Sequence, residues 1–149
     1  MSDLYDTRPW CVFELTEAKR KRRPIVLADV SRVRTSRTYP YGANLPRVRY
    51  TQSDKAAIEA LLVDVLSEGL RCDLFLQQAQ KKLAEINREG LALPRPPELF
   101  DLIEREPDEL GKVIVYPDPA LPNVEHEIIG RALRRPELDI EVKTLGELL

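Results

Sequence analysis

Pro24-Ile25-Val26-Leu27-Ala28 is a short aliphatic run set directly behind a segment with helical spacing, and that succession limits the folds open to the chain. Thr7 can cap the segment, Pro9 suits its first turn and Pro24 ends it, so a helix leads into a buried strand. Within the helix Trp10 and Glu14 stand four apart, which sets the carboxylate one turn above the indole on the same face. Cys11, Leu15 and Ala18 form an adjacent apolar stripe. A glutamate beside an aromatic ring at the edge of such a stripe is expected to lose part of its hydration, which suits it to hydrogen bonding or proton transfer. The same spacing also describes an ordinary helix glutamate beside a core tryptophan.

The alternation of helix and strand continues. Ser31 to Asn44 is polar and basic, with Tyr39-Pro40-Tyr41-Gly42 as a turn signal, and Leu45 to Tyr50 alternates apolar and basic residues as a half-exposed strand does. Ser53 or Asp54 can cap the next helix; Ile58, Leu61, Leu62, Val65 and Leu66 recur at helical spacing, and Gly69 is placed to stop it. Cys72 to Asn87 reads as a second helix, with Leu76, Ala79, Leu83 and Ile86 as its stripe and Gly90 at its end. That helix either packs on the first half as a link or pairs with another chain.

Beyond residue 90 the pattern predicts a short strand at Leu91-Ala92-Leu93, a proline-rich connection and a helix through Leu99, Leu102 and Ile103. Lys112 to Tyr116 predicts a strand broken by Pro117-Asp118-Pro119. A helix is expected from Asn123, burying Val124, Ile128, Ala132, Ile129 and Leu133, until Pro136; Asp139 to Lys143 completes a strand-helix-strand unit of parallel type. Three positions here invite a functional reading beside a plain one. Asp118 lies past a predicted parallel strand, where ligands tend to bind, yet Pro-Asp-Pro is also a rigid turn. Arg95 is a stiff lead-in to a helix or an anion contact, and His126 is a surface histidine or a base.

Composition excludes several classes. Hydrophobic residues at 43% and charged residues at 32% describe a globular chain. No apolar run reaches the length of a membrane span and the N-terminus is acidic and polar, so a cytoplasmic protein without membrane contact is expected. With Cys11, Cys72 and the single His126, a zinc site or a histidine-based triad lacks raw material, and both cysteines read as small core residues. Residues 1–55 hold twelve Lys/Arg against six Asp/Glu, about +6, which leaves about −8 in the remainder.

A family resemblance rests on Ser2-Asp3-Leu4-Tyr5, on Arg8-Pro9-Trp10-Cys11-Val12-Phe13-Glu14-Leu15 and on Pro24-Ile25-Val26-Leu27. Together these resemble the middle of a Toll/interleukin-1 receptor (TIR) domain. There, a strand ending in Ser and Tyr leads into a helix bearing Trp-x-x-x-Glu, followed by a basic or polar turn and a Pro-Ile-aliphatic strand. The strand at 45–50 and the helix behind it resemble the last strand and last helix of that domain. The resemblance implies an α/β fold: the C-terminal half of a flavodoxin-like TIR domain in residues 1–70, a linking helix at 71–90 and a small α/β extension at 91–149. Pro94-Arg95-Pro96-Pro97-Glu98-Leu99 and Tyr116-Pro117-Asp118-Pro119 resemble C-terminal extensions of some bacterial TIR proteins.

In enzymatic TIR domains that glutamate is the catalytic residue for cleaving the nicotinamide–ribose bond of NAD. Carried over, it is Glu14, with Trp10, Tyr5 and Cys11 lining the substrate pocket. NAD is then a substrate, and neither a cofactor nor a metal is expected. The elements that open a TIR domain do not precede the Trp-x-x-x-Glu helix in this sequence. The chain is therefore expected to be a fragment with an internal start or a diverged protein that keeps the second half. It is expected to act in bacterial defence or stress signalling when assembled with other TIR domains or with itself. Two alternatives stand beside catalysis. One is a non-catalytic interaction module. The other is an anion binder using the basic stretch from Lys19 to Arg49, with Arg32, Arg34, Arg37, Tyr39 and Tyr41 as further contacts. Nucleic acid is the less expected partner, because Lys19 to Arg23 also suits a solvated helix end, where each charge gains ~0.3–1 kcal/mol from the dipole.

Overall fold

A computed structural model describes residues 8–29, 45–49, 55–133 and 140–148, in an order of helices and short parallel strands that makes this an α/β protein. The chain divides into two compact units, Met1–Cys72 and Asp73–Leu149.

The first unit opens with helix α1, Pro9–Arg20, whose N-cap is Arg8 in extended backbone and whose Pro9 occupies the first turn. Thr7 lies outside the described residues, as do Tyr5, the turn at Tyr39 to Gly42, Ser53, Asp54 and Pro136. The helix ends before Pro24 in paired backbone bonds, Arg22 N–H to Lys19 O and Arg23 N–H to Ala18 O, each 2.9 Å. This closure needs a left-handed residue, and Arg22 supplies it at φ 52°. Because a side chain strains that conformation, Arg22→Gly is expected to raise stability by about 0.5–1 kcal/mol, net of the entropy glycine adds to the unfolded chain. A lower urea midpoint for Arg22→Gly would show that the arginine side chain contributes more than its backbone strain costs.

Strand β1, Leu27–Asp29, then pairs in parallel with β2, Arg47–Arg49, in the register Leu27 with Arg47 and Asp29 with Arg49. Leu15 and Leu27 form the unit's small core, with Val12, Ile25 and Leu45 against it. Helix α2 follows as one continuous rod, Lys55–Glu85. Two helices separated at Gly69 are therefore not what forms. A glycine inside a helix costs only ~1 kcal/mol relative to alanine, and good helix formers flank this one. Its open side faces Pro24, whose Cγ would lie 3.8 Å from an added Cβ. The rod stops at Asn87 (φ 50°), where Asn87 N–H bonds Ala84 O and Arg88 N–H bonds Leu83 O, the same closure used by α1.

The second unit is a three-layer sandwich in miniature. Strands β3 (Gly90–Ala92), β4 (Val113–Tyr116) and β5 (Glu141–Thr144) form a parallel sheet with β4 in the middle. Every residue of β4 is buried, so its alternating side chains serve two cores. Val113, Val115 and Ala92 pack on Phe75, Ala79 and Leu83 of α2, joined by Leu145 and Leu148. On the opposite face Ile114, Tyr116, Leu91 and Leu93 meet Leu102, Leu110, Ile129 and Leu133. Those last residues come from α3 (Leu99–Ile103), α4 (Pro107–Leu110) and α5 (Asn123–Leu133). Helix α5 buries Ile129 and Leu133 as expected but leaves Val124 67% and Ile128 50% exposed. Two apolar stripes lie side by side on that helix: Ile129 and Leu133 belong to the core, whereas the Val124–Ile128 stripe touches it only through the half-buried Ala132.

Candidate functional site

Helix α1 carries three of the four residues singled out from sequence, and it brings two of them together. Trp10 Nε1–H donates to Glu14 Oε1 across 3.0 Å, as their spacing requires. Cys11 sits half-buried beside them as a free thiol, while Tyr5 lies outside the described residues. The expected setting is overturned, however. Trp10 is 68% exposed and Glu14 is exposed, because α1 turns Leu15 and Lys19 inward, not its Trp10 edge. The indole is not a core residue, and the carboxylate keeps access to water.

Phe13 completes the arrangement and is the residue that sequence reasoning missed. Its ring stacks on Trp10 at 5.4 Å between centroids with 30° between planes, and it is itself half exposed. The signal was available: positions three apart on a helix are neighbours. One helix edge thus presents a stacked aromatic pair next to an exposed carboxylate whose Oε1 is held by an N–H. A carboxylate fixed in this way can stabilise a developing positive charge, and the aromatic faces can hold a flat or cationic ring. At the carboxyl edge of β1, Asp29 Oδ1 is buried without a hydrogen-bond partner.

The basic run at the end of α1 is partly engaged within the chain. Lys19 is buried and Arg20 and Lys21 reach Glu17, while Arg32, Arg34, Arg37, Tyr39 and Tyr41 lie outside the described residues.

In the second unit the candidate positions serve the fold. Arg95, 9% exposed, donates through both terminal nitrogens to Asp101, at 2.9 and 3.3 Å, and to Pro96 O. Phe100 lies beneath its guanidinium at 5.2 Å. It is an internal clamp, not an anion contact on the surface. Asp118 turns its carboxylate toward Gly146, within 3.2 Å of where a Cβ would stand. His126 is exposed, its Nε2 3.4 Å from Val142 O. Tyr116 is buried, and its hydroxyl accepts from Leu121 N–H at 2.9 Å; burial pushes the phenol above its ordinary pKa despite that bond.

An open cleft of about 510 Å³ lies at the amino edge of the sheet, lined by Asn87, Arg88, Glu89, Lys112 and Glu141. Glu141 accepts from Arg88 at 3.2 Å and pairs with Lys143 at 2.6 Å, and hydrogen bonds from these two cations lower its pKa from 4.5 to about 2. A carboxyl with a depressed folded pKa adds stability above its unfolded value and loses it as pH falls through the folded one. The unit is therefore expected to lose this contribution between about pH 4.5 and 2. Glu141→Gln is expected to flatten that part of an acid unfolding curve, and an unchanged slope there would contradict the pairing.

No family model matches the chain, and comparison with curated proteins and with solved structures gave no match either. Among the described residues no helix is long and apolar enough to cross a membrane.

Proposed function

We propose that the chain contains the second half of a flavodoxin-like TIR domain and takes part, in the cytoplasm, in bacterial defence or stress signalling by hydrolysing NAD. Glu14 is the catalytic residue of this reading. The observation that supports it is the Trp10 Nε1–Glu14 Oε1 hydrogen bond, which orients a solvent-reaching carboxylate beside an exposed aromatic pair. In the reaction the bond between ribose C1′ and the nicotinamide nitrogen breaks, its electron pair leaves with nicotinamide, and C1′ becomes oxocarbenium-like. Glu14 stabilises that charge; water then adds to C1′ and loses a proton, giving ADP-ribose, nicotinamide and H⁺. Trp10 and Phe13 offer a platform for the flat nicotinamide ring, with Tyr5 and Cys11 as further pocket residues. Assembly with other TIR domains or with further copies, or the first half of the domain, closes the pocket over this edge.

NAD cleavage by Glu14→Gln, assembled as the wild type is, is expected to fall by roughly 100-fold or more, since the charge is lost while the shape is kept. Trp10→Phe, which removes only the N–H donor, is expected to lose about tenfold. An unchanged rate in Glu14→Gln would contradict the assignment. A second reading, a non-catalytic interaction module, is favoured by the exposure of Trp10 and Phe13. It predicts that the wild type and Glu14→Gln assemble equally and that neither releases nicotinamide.

A further inference from the structure

Helix α2 has an apolar face that its core does not use. At ~100° per residue, its buried Cys72, Phe75, Ala79 and Leu83 share one strip with the half-buried Ala57 and Leu61. Ile58, Leu62, Leu66 and Leu70 advance around the other side and stand 44%, 58%, 72% and 60% exposed, with Val63 (61%) and Leu74 (48%) adjoining. Together they offer on the order of 600 Å² of apolar surface, the upper end for a monomer's largest patch and close to the ~800 Å² per partner of a standard interface. The most exposed of them, Leu66, sits in the middle of the run.

We propose that this face pairs antiparallel with the same face of a second copy of the chain. The area argues for an interface, and the charges argue for its identity and direction. Lys55 and Asp73 flank the apolar run on the same side of the helix, equally far in sequence from the midpoint of Leu62 and Leu66. With Leu62 of one copy level with Leu66 of the other, Ile58 lies level with Leu70 and Lys55 with Asp73, at both ends by two-fold symmetry. Glu59, also on this side, falls level with Gly69, which has no side chain to bury it. A parallel pair would instead set Lys55 against Lys55 and Asp73 against Asp73. Among the described residues Lys55 makes a loose, solvated link to Glu59 at 3.9 Å, with its side chain 90% exposed. The pairing does not depend on the chemistry of Glu14.

Sedimentation equilibrium of the full chain across the micromolar range tests it. The wild type is expected to be a dimer. Leu66→Glu is expected to be a monomer with unchanged circular dichroism, since the side chain is exposed. Lys55→Glu is expected to weaken the dimer by about tenfold or more, and Lys55→Glu combined with Asp73→Lys to restore it. A wild type that stays monomeric at the highest concentration would overturn the proposal and leave the face to a different polypeptide. So would a dimer indifferent to Leu66→Glu, and a dimer indifferent to both charge variants would overturn its antiparallel register.

Discussion

Arg95→Ala is expected to destabilise the second unit by about 3–5 kcal/mol, the range for removing one partner of a buried ion pair. The reason lies in what remains. Asp101 is 3% exposed, and without the guanidinium its carboxylate keeps the Glu98 N–H, which donates to Oδ2 at 3.0 Å, but loses the cation that Arg95 sets against it. The arginine also bonds Pro96 O and covers Phe100, so its loss opens the proline-rich turn between β3 and α3. Arg95→Lys is expected to recover part of the loss, because an ammonium restores the charge but not the planar two-nitrogen fork. Urea unfolding of the three proteins measures this; a loss under about 1 kcal/mol for Arg95→Ala would contradict a clamp role.

Gly111→Ala is expected to cost about 2–5 kcal/mol, combining backbone strain with overpacking. Gly111 turns the chain from α4 into β4 at φ 65° and ψ −152°, a region essentially reserved for glycine. An added Cβ would also lie 2.9 Å from Glu89 C, Glu89 O and Gly90 Cα. That contact is with backbone, which cannot swing aside. The neighbouring bond from Lys112 N–H to Glu89 O, 2.9 Å, sets the start of the β3–β4 ladder, so displacement at Gly111 reaches the sheet directly. A thermal midpoint within a degree or two of the wild type would contradict this account.

Legibility from sequence followed the strength of the local signal. Lys112 to Tyr116 announced β4 because a run of consecutive aliphatic residues closed by Pro117 suits a strand buried on both faces. The α1–β1 succession was legible through Pro9 and Pro24, which have fixed backbone preferences. Gly69 misled because a breaker acts in competition with its neighbours, and Leu70 and Arg71 favour continuing the helix. Helix α4 has only four residues and shows no periodicity to read. The buried partner of Arg95 was hidden for another reason: Asp101 reaches it only after the prolines have folded the chain back.

At the candidate site, spacing gave the Trp10–Glu14 contact but not its exposure. Exposure depends on which face of α1 meets Leu27, a tertiary fact, and that face carries Leu15. Likewise Ile58, Leu62 and Leu66 show helical spacing in the sequence. Periodicity marks an apolar side without saying whether this chain or another covers it.

The most direct test of the central claim is nicotinamide release from NAD by the full chain over a concentration series, with Glu14→Ala beside it. The account predicts release that rises faster than protein concentration, as assembly closes the pocket over the Trp10–Phe13 edge, and none from the variant. Release from Glu14→Ala at the wild-type rate, or none from a folded and assembled wild type, would contradict it.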